Sequence, residues 1–99
     1  MSTVEKKLEK RLYNEVKKAG GKALKFFSYT FTGMPDRIVL MPAGRIYFVE
    51  LKSTGKERSP RQKTVHKMLT DLGFKVYTID APEKLDSFLD EIILKAITE

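Results

Sequence analysis

Residues 33–52 read GMPDRIVLMPAGRIYFVELK, two apolar runs on either side of the turn Pro42-Ala43-Gly44. The pattern predicts a β-hairpin of Asp36–Met41 and Arg45–Lys52. Charged residues stand at its open end, where Asp36 begins the first run and Glu50-Leu51-Lys52 closes the second. A hairpin centred on Ala43 sets Asp36 opposite Glu50 on one face, with Cβ atoms roughly 5 Å apart. Like charges so placed repel unless a cation lies between them, so the hairpin predicts a divalent-metal site. Alternation along the second strand puts Ile46, Phe48, Glu50 and Lys52 on one face and Tyr47, Val49 and Leu51 on the other. Lys52 therefore projects beside both carboxylates. The main-chain carbonyl of Leu51 lies next to Glu50 as a further oxygen donor for Mg²⁺. Oxygen ligands for a cation, joined by a lysine that can orient water or stabilise charge on a phosphate, suit metal-assisted phosphodiester hydrolysis. The plainer reading is a Lys–Glu pair at a strand end with Asp36 capping the preceding turn. The common register of all three residues argues against it.

Outward from the hairpin, Val4, Leu8, Leu12, Val16 and Ala19 make an apolar stripe that predicts a helix over Thr3–Ala19, stopped by Gly20-Gly21. Lys22–Ser28 reads as a strand and Tyr29–Pro35 as a polar and aromatic loop. After a charged loop, Ser53–Arg58, the pair Ser59-Pro60 supplies an N-cap and a proline at the first helical position. That helix runs through Val65, Met68, Leu69 and Leu72 to Gly73. Phe74–Ile79 is a fourth strand. Pro82 opens a last helix with Leu85, Phe88, Leu89, Ile92 and Ile93 on its buried side. The order is αβββαβα, an α/β fold with helices around a mixed sheet.

Bulk properties set limits on partners. A chain of 99 residues is one domain with one core. Its 41% hydrophobic and 32% charged content is that of a soluble globular protein. No apolar run approaches the roughly 20 residues of a membrane span. The Lys-rich start also lacks the apolar stretch of a signal peptide. Without cysteine there is neither a disulfide framework nor a thiolate zinc site, which fits a reducing, cytoplasmic location. The net charge of +6 and pI near 9.6 are compatible with nucleic acid. No basic helix with bulky apolar anchors suggests a membrane surface.

Three segments together, Gly33-x-Pro35-Asp36-Arg37, Phe48-Val49-Glu50-Leu51-Lys52 and Gln62 early in the next helix, make the chain similar to the PD-(D/E)xK nuclease superfamily. More narrowly it resembles the VRR-NUC domain in its small stand-alone phage or bacterial form. The resemblance runs through nearly the whole chain and implies a restriction-endonuclease-like core. It implies Asp36, Glu50 and the Leu51 carbonyl as metal ligands, Lys52 as catalytic lysine and Gln62 as a residue that orients the site or touches the phosphate. Gln62 has a structural role open to it as well, because Ser59-x-x-Gln62 is a capping-box pattern. The family also uses a glutamate of the first helix. Glu5, Glu9 and Glu15 all lie near the apolar stripe, and spacing to Gly20-Gly21 favours Glu9. The plain alternative for each is a solvated carboxylate paired along the helix with a lysine or arginine.

Further features follow from this frame. Lys56, Arg58, Arg61, Lys63 and Lys67 cluster just after the Glu-Leu-Lys strand, where a DNA backbone would approach. Such a cluster is otherwise a solvated face. His66, the single histidine, is expected at the surface or its boundary. Tyr29 and Phe31 could stack on bases, but packing on the sheet edge or a second subunit is the expectation. Stand-alone members resemble Holliday-junction resolving enzymes, so the resemblance implies a Mg²⁺-dependent endonuclease of branched DNA, with Mn²⁺ able to substitute and no small-molecule cofactor. One site per chain and two symmetric cuts per four-way junction imply a homodimer. The competing expectations are a monomeric nuclease of flaps or single-strand/duplex junctions, and a non-catalytic DNA-binding module. The latter should have lost one of Asp36, Glu50 or Lys52.

Overall fold

In the computed structural model, which describes residues 2–98 with side chains through Leu94, the chain follows the expected αβββαβα order. Its elements are α1 (Thr3–Lys18), β1 (Lys22–Lys25), β2 (Arg37–Met41), β3 (Arg45–Leu51), α2 (Pro60–Asp71), β4 (Lys75–Ile79) and α3 (Pro82–Thr98). The strands form one sheet in the order β1-β2-β3-β4. The first two pairings are antiparallel and the third is parallel, so the sheet is mixed. No helix among the described residues is long and apolar enough to cross a membrane.

Strand alternation divides the core into two layers. On one face Val39, Met41, Tyr47, Val49, Leu51 and Ile79 pack against Leu8, Leu12 and Val16 of α1 and Leu85, Phe88, Leu89 and Ile92 of α3. Each large apolar side chain fully removed from water there stabilises the fold by about 1.5–3 kcal/mol. On the other face Phe48 meets Val65 and Leu69 of α2, with Met34, Ile38 and Val76 around them. The smaller layer covers the face that carries Glu50.

The hairpin has the register its spacing predicts. Arg37 pairs with Val49, Ile38 with Phe48 and Met41 with Arg45, so one further step sets Asp36 opposite Glu50. The turn is a short 3₁₀ segment, Pro42–Gly44, in which Ala43 adopts a left-handed φ of 66°. At the same end of β2, Gly21 is pressed against the strand. A Cβ there would stand 2.4 Å from the Leu40 carbonyl oxygen, which explains why the α1 stop carries a second glycine.

Two expectations are corrected by the fold. The first strand stops at Lys25 rather than Ser28, and its ladder to β2 ends one bond later with the Phe26 N–H on the Asp36 carbonyl at 2.9 Å. The next partner would be Pro35, which has no N–H to continue the ladder. In α2 the inward face carries Val65, His66 and Leu69, while Met68 and Leu72 face water. His66 is only 2% exposed, not a surface residue. Arg58 donates to its Nδ1 at 2.9 Å, while its Nε2 is buried without a partner. The single bond offsets part of the cost of burying the ring.

Candidate active site

Asp36 sits where β2 begins, and its carboxylate reaches across to β3. Its Oδ1 accepts the Leu51 N–H at 3.1 Å. In an extended strand the N–H and C=O of one residue point to the same side, so the Leu51 carbonyl faces the same edge as Asp36. Glu50 is 5% exposed, beneath α2. Its Oε2 lies 3.7 Å from the Lys52 ammonium, while its Oε1 is buried without a hydrogen-bond partner. Burial first, and the Asp36 charge second, push the Glu50 carboxyl up to about 7. Asp36 is also raised, mainly by burial, against the opposing pull of the Leu51 N–H and of Arg37. Two carboxylates both raised by burial, one of them with an orphaned oxygen, form a site short of positive charge.

Arg37 follows Asp36 and, by alternation, points to the α1 side of the sheet. Its side chain is 6% exposed. One guanidinium nitrogen bonds the Asp36 carbonyl at 2.9 Å and lies 3.2 Å from Asp36 Oδ2. The other pairs with the Glu9 carboxylate. Lys25 stands 3.7 Å from the same Glu9 oxygen. Glu9, favoured by its distance to the Gly-Gly stop, is therefore bound behind the carboxylate pair rather than in it. Glu5 lies elsewhere. Its Oε1 accepts from Ser53 Oγ at 2.7 Å, and its charge adds to the rise in the Asp36 pKa. Of the three helix-one candidates, Glu5 is the one whose charge is felt at Asp36, and Glu15 pairs with Lys18. The signal that could have separated them was Arg37, whose place in the strand demanded an acidic partner on α1.

Gln62 fills the capping role that its spacing from Ser59 opens to it. Its Oε1 accepts the Ser59 N–H at 3.0 Å while its own N–H donates to Ser59 Oγ at 3.2 Å, a complete capping box. It also lines a cleft of about 550 Å³ together with Asp36, Ser59, Arg61 and residues of the Phe26–Met34 segment. The capping bonds leave the two amide N–H donors of its side chain uncommitted to the cap.

The five basic residues separate into different settings. Lys56 is exposed. Lys63 and Lys67 are exposed and paired at the surface with Glu57 and Asp71 at 3.7 and 2.7 Å. Such surface pairs are weak enough to exchange for a phosphate. Arg61 lies on the cleft wall, with its Nε donating to the Thr32 carbonyl and its guanidinium over the Phe31 ring. Arg58 is turned inward to His66 instead. Burial, with the charges of Arg58 and Lys52, lowers the His66 pKa to about 4, so the ring is neutral. Tyr29 is exposed and so does not pack on the sheet edge of its own chain.

Among the described residues no cluster of three or more acidic, histidine or cysteine side chains is placed to hold a metal. The donors on offer are the two carboxylates and the Leu51 carbonyl. Few protein oxygens with room for water suit Mg²⁺, which usually keeps part of its hydration shell. The orphaned Glu50 Oε1 fits that group.

Residues 2–82 match the VRR-NUC domain. The chain is 42% identical over 88 residues to "Putative nuclease p44" of Acyrthosiphon pisum secondary endosymbiont phage 1, a match spanning 89% of this chain and 94% of that protein. A solved structure described as a VRR_NUC domain superposes with a TM-score of 0.83 at 26% identity, covering 90% of this chain and 97% of the other.

Proposed function

Because the chain belongs to the VRR-NUC domain family of nucleases, we propose that it is a metal-dependent endonuclease that cuts branched DNA, four-way junctions above all. The observation that carries the metal dependence is Glu50 Oε1, a buried carboxylate oxygen with no partner beside a second carboxylate. Asp36, Glu50 and the Leu51 carbonyl would hold Mg²⁺, and Mn²⁺ would substitute. The cation, when bound, supplies Lewis-acid stabilisation of charge on the phosphate being cut.

The remaining work falls to the chain itself. Lys52, fixed beside Glu50, brings a positive charge to the position where the phosphate must lie and can hold the attacking water in hydrogen-bond reach. Gln62 offers its amide N–H groups to a phosphate oxygen while its carbonyl oxygen keeps the helix start in place. Glu5 adds negative charge near Asp36, which strengthens cation binding. Lys56, Arg61, Lys63 and Lys67 attract the DNA backbone and set its path toward the cleft. Glu9 serves the site indirectly, by holding Arg37 against Asp36.

A four-way junction is resolved by two symmetric cuts, and a two-fold homodimer of one-site protomers supplies them. The test is cleavage of a labelled four-way junction by wild type, Lys52→Ala and Asp36→Asn, with Mg²⁺ or with EDTA. Wild type should make paired nicks only with the cation, and both variants should bind without cutting. Cutting in EDTA, or variants as active as wild type, would sink the proposal. Single nicks by a monomer would replace it with a flap or single-strand/duplex-junction nuclease.

A further inference from the structure

The segment between β1 and β2 is fastened at both ends and bare in the middle. At one end the Phe26 N–H is bonded to the Asp36 carbonyl. At the other, Arg61 holds the Thr32 carbonyl at 3.1 Å and stacks 4.8 Å from the centroid of Phe31. Gly33 (φ +91°) is pressed so tightly onto α2 that a Cβ would lie 2.9 Å from Arg61 Cγ and from Val65 Cγ2. Inside the segment Ser28 Oγ accepts the Phe31 N–H at 3.2 Å and closes a turn. On this braced base Phe27 is 77% and Tyr29 92% exposed. The two rings meet edge to face, 5.1 Å apart at 88°.

A single exposed aromatic needs no explanation. Two of them on a pinned loop contribute nothing to the core and hold apolar surface in water. Phe27 itself lines the cleft that Asp36 and Gln62 share. We propose that Phe27 and Tyr29 are a stacking platform for a DNA base exposed beside the phosphate to be cut, and that they set the preference for branched over fully paired DNA. The proposal rests on the nuclease reading above and names the feature of the substrate that the site selects.

Four arguments select this occupant. Bases inside a continuous duplex have both faces covered, so an aromatic platform is open only to a base at a branch, bulge or end. Stacking is tolerant of base identity, which suits recognition of shape rather than sequence. The flanking charge is positive, with Arg61 on one side of the segment and the exposed Lys25 on the other, in a chain of net charge +6. A polyanion complements that field, whereas a second copy of the chain would bring the same charge to it. The rings are also too small for a dimer interface by themselves. At about 150–250 Å² each they fall short of the roughly 800 Å² per partner of a standard interface.

Binding measured in EDTA separates recognition from cleavage. Anisotropy titrations would compare a four-way junction, a duplex with one bulged nucleotide and a fully paired duplex of equal length. The proteins are wild type, the double variant Phe27→Ala/Tyr29→Ala and the exchange Phe27→Tyr/Tyr29→Phe. Wild type should prefer the junction and the bulge. The alanine pair should lose about tenfold or more on those two DNAs and nothing on the duplex, and the aromatic exchange should keep the preference. Equal loss on all three DNAs, no loss on any, or no preference in wild type would overturn the proposal. So would an alanine variant that sediments as a monomer where wild type is a dimer, since the rings would then belong to the subunit interface. If wild type shows the preference but cuts none of these DNAs with Mg²⁺ or Mn²⁺, the nuclease reading fails and the platform stands.

Discussion

Glu5 and Glu9 stand about one helical turn apart on α1, yet their carboxylates have different partners. Glu5 bonds Ser53 and is felt at Asp36, whereas Glu9 is clasped by Arg37 and Lys25. Conservative substitutions should separate the two roles. Glu5→Gln should raise the Mg²⁺ concentration needed for half-maximal cleavage and leave thermal stability nearly unchanged. Glu9→Gln should cost stability instead, about 1–2 kcal/mol, because it removes a partner from the buried Arg37 while leaving Asp36 beside it. Metal titration of the cleavage rate, set beside urea denaturation, reads both. The assignment fails if the two effects are exchanged.

The metal-free protein should show two opposing pH dependences. Glu50 is raised from 4.5 to about 7, so across that window the folded state keeps a proton that the unfolded chain has released. Its contribution to stability is complete at low pH and is lost as pH rises through about 7. The rise at Asp36 acts in the same sense. His66, lowered from 6.5 to about 4, works the other way, and its contribution is lost as pH falls through that interval. In EDTA the His66 contribution should therefore offset part of the loss from the two carboxyls where the windows overlap. Glu50→Gln should gain stability with rising pH over the same range and exceed wild type by about 1–3 kcal/mol above neutrality. Parallel curves for the two proteins would contradict this. Mg²⁺ should stabilise wild type more as pH rises, since binding requires the deprotonated carboxylates.

Gly33→Ala should be strongly destabilising for a residue outside the core. It combines a left-handed φ with a Cβ forced against α2. Strain of this kind, together with the overpacking, is worth about 2–4 kcal/mol. A drop in the urea midpoint should accompany weaker junction binding, because the aromatic segment loses its anchor. An unchanged midpoint would mean that the segment is not seated on α2 as described.

Arg58 and Lys63 are both basic residues of one cluster, and DNA binding should distinguish them. Lys63→Ala should lower the slope of log affinity against log salt by about 0.9. Arg58→Ala should leave that slope alone and lower thermal stability, since it strips the bond from the buried His66 ring. Binding titrations at several salt concentrations and a thermal melt decide the matter.

The sequence carried the hairpin because period-two alternation and a turn centre determine a register, and register alone brought Asp36, Glu50 and Lys52 together. It carried the α2 start because Ser-Pro and Ser-x-x-Gln have local meanings. The missing parts depend on contacts between segments remote in sequence. Glu5 and Glu9 share one edge of a helix, and only the buried guanidinium of Arg37, coming from another element, distinguishes them. The inward turn of His66 required Arg58 to bend back from the preceding loop. The exposure of Tyr29 followed from Pro35 ending a ladder and Gly33 fastening a loop, neither of which an aromatic residue reveals about itself.

The parallel pairing of β4 beside β3 gives the site a history as well as a geometry. The antiparallel hairpin closes over a short turn and can form within microseconds, whereas β4 must first be carried across by α2. Asp36 and Glu50 therefore meet while water still surrounds them and their repulsion is slight. The repulsion becomes severe only when α2 settles over Phe48 and excludes that water. The strain of bringing the two carboxylates together without a cation thus falls on the docking of α2. Local opening of the metal-free protein should begin by α2 lifting away, with the hairpin and its facing carboxylates still paired.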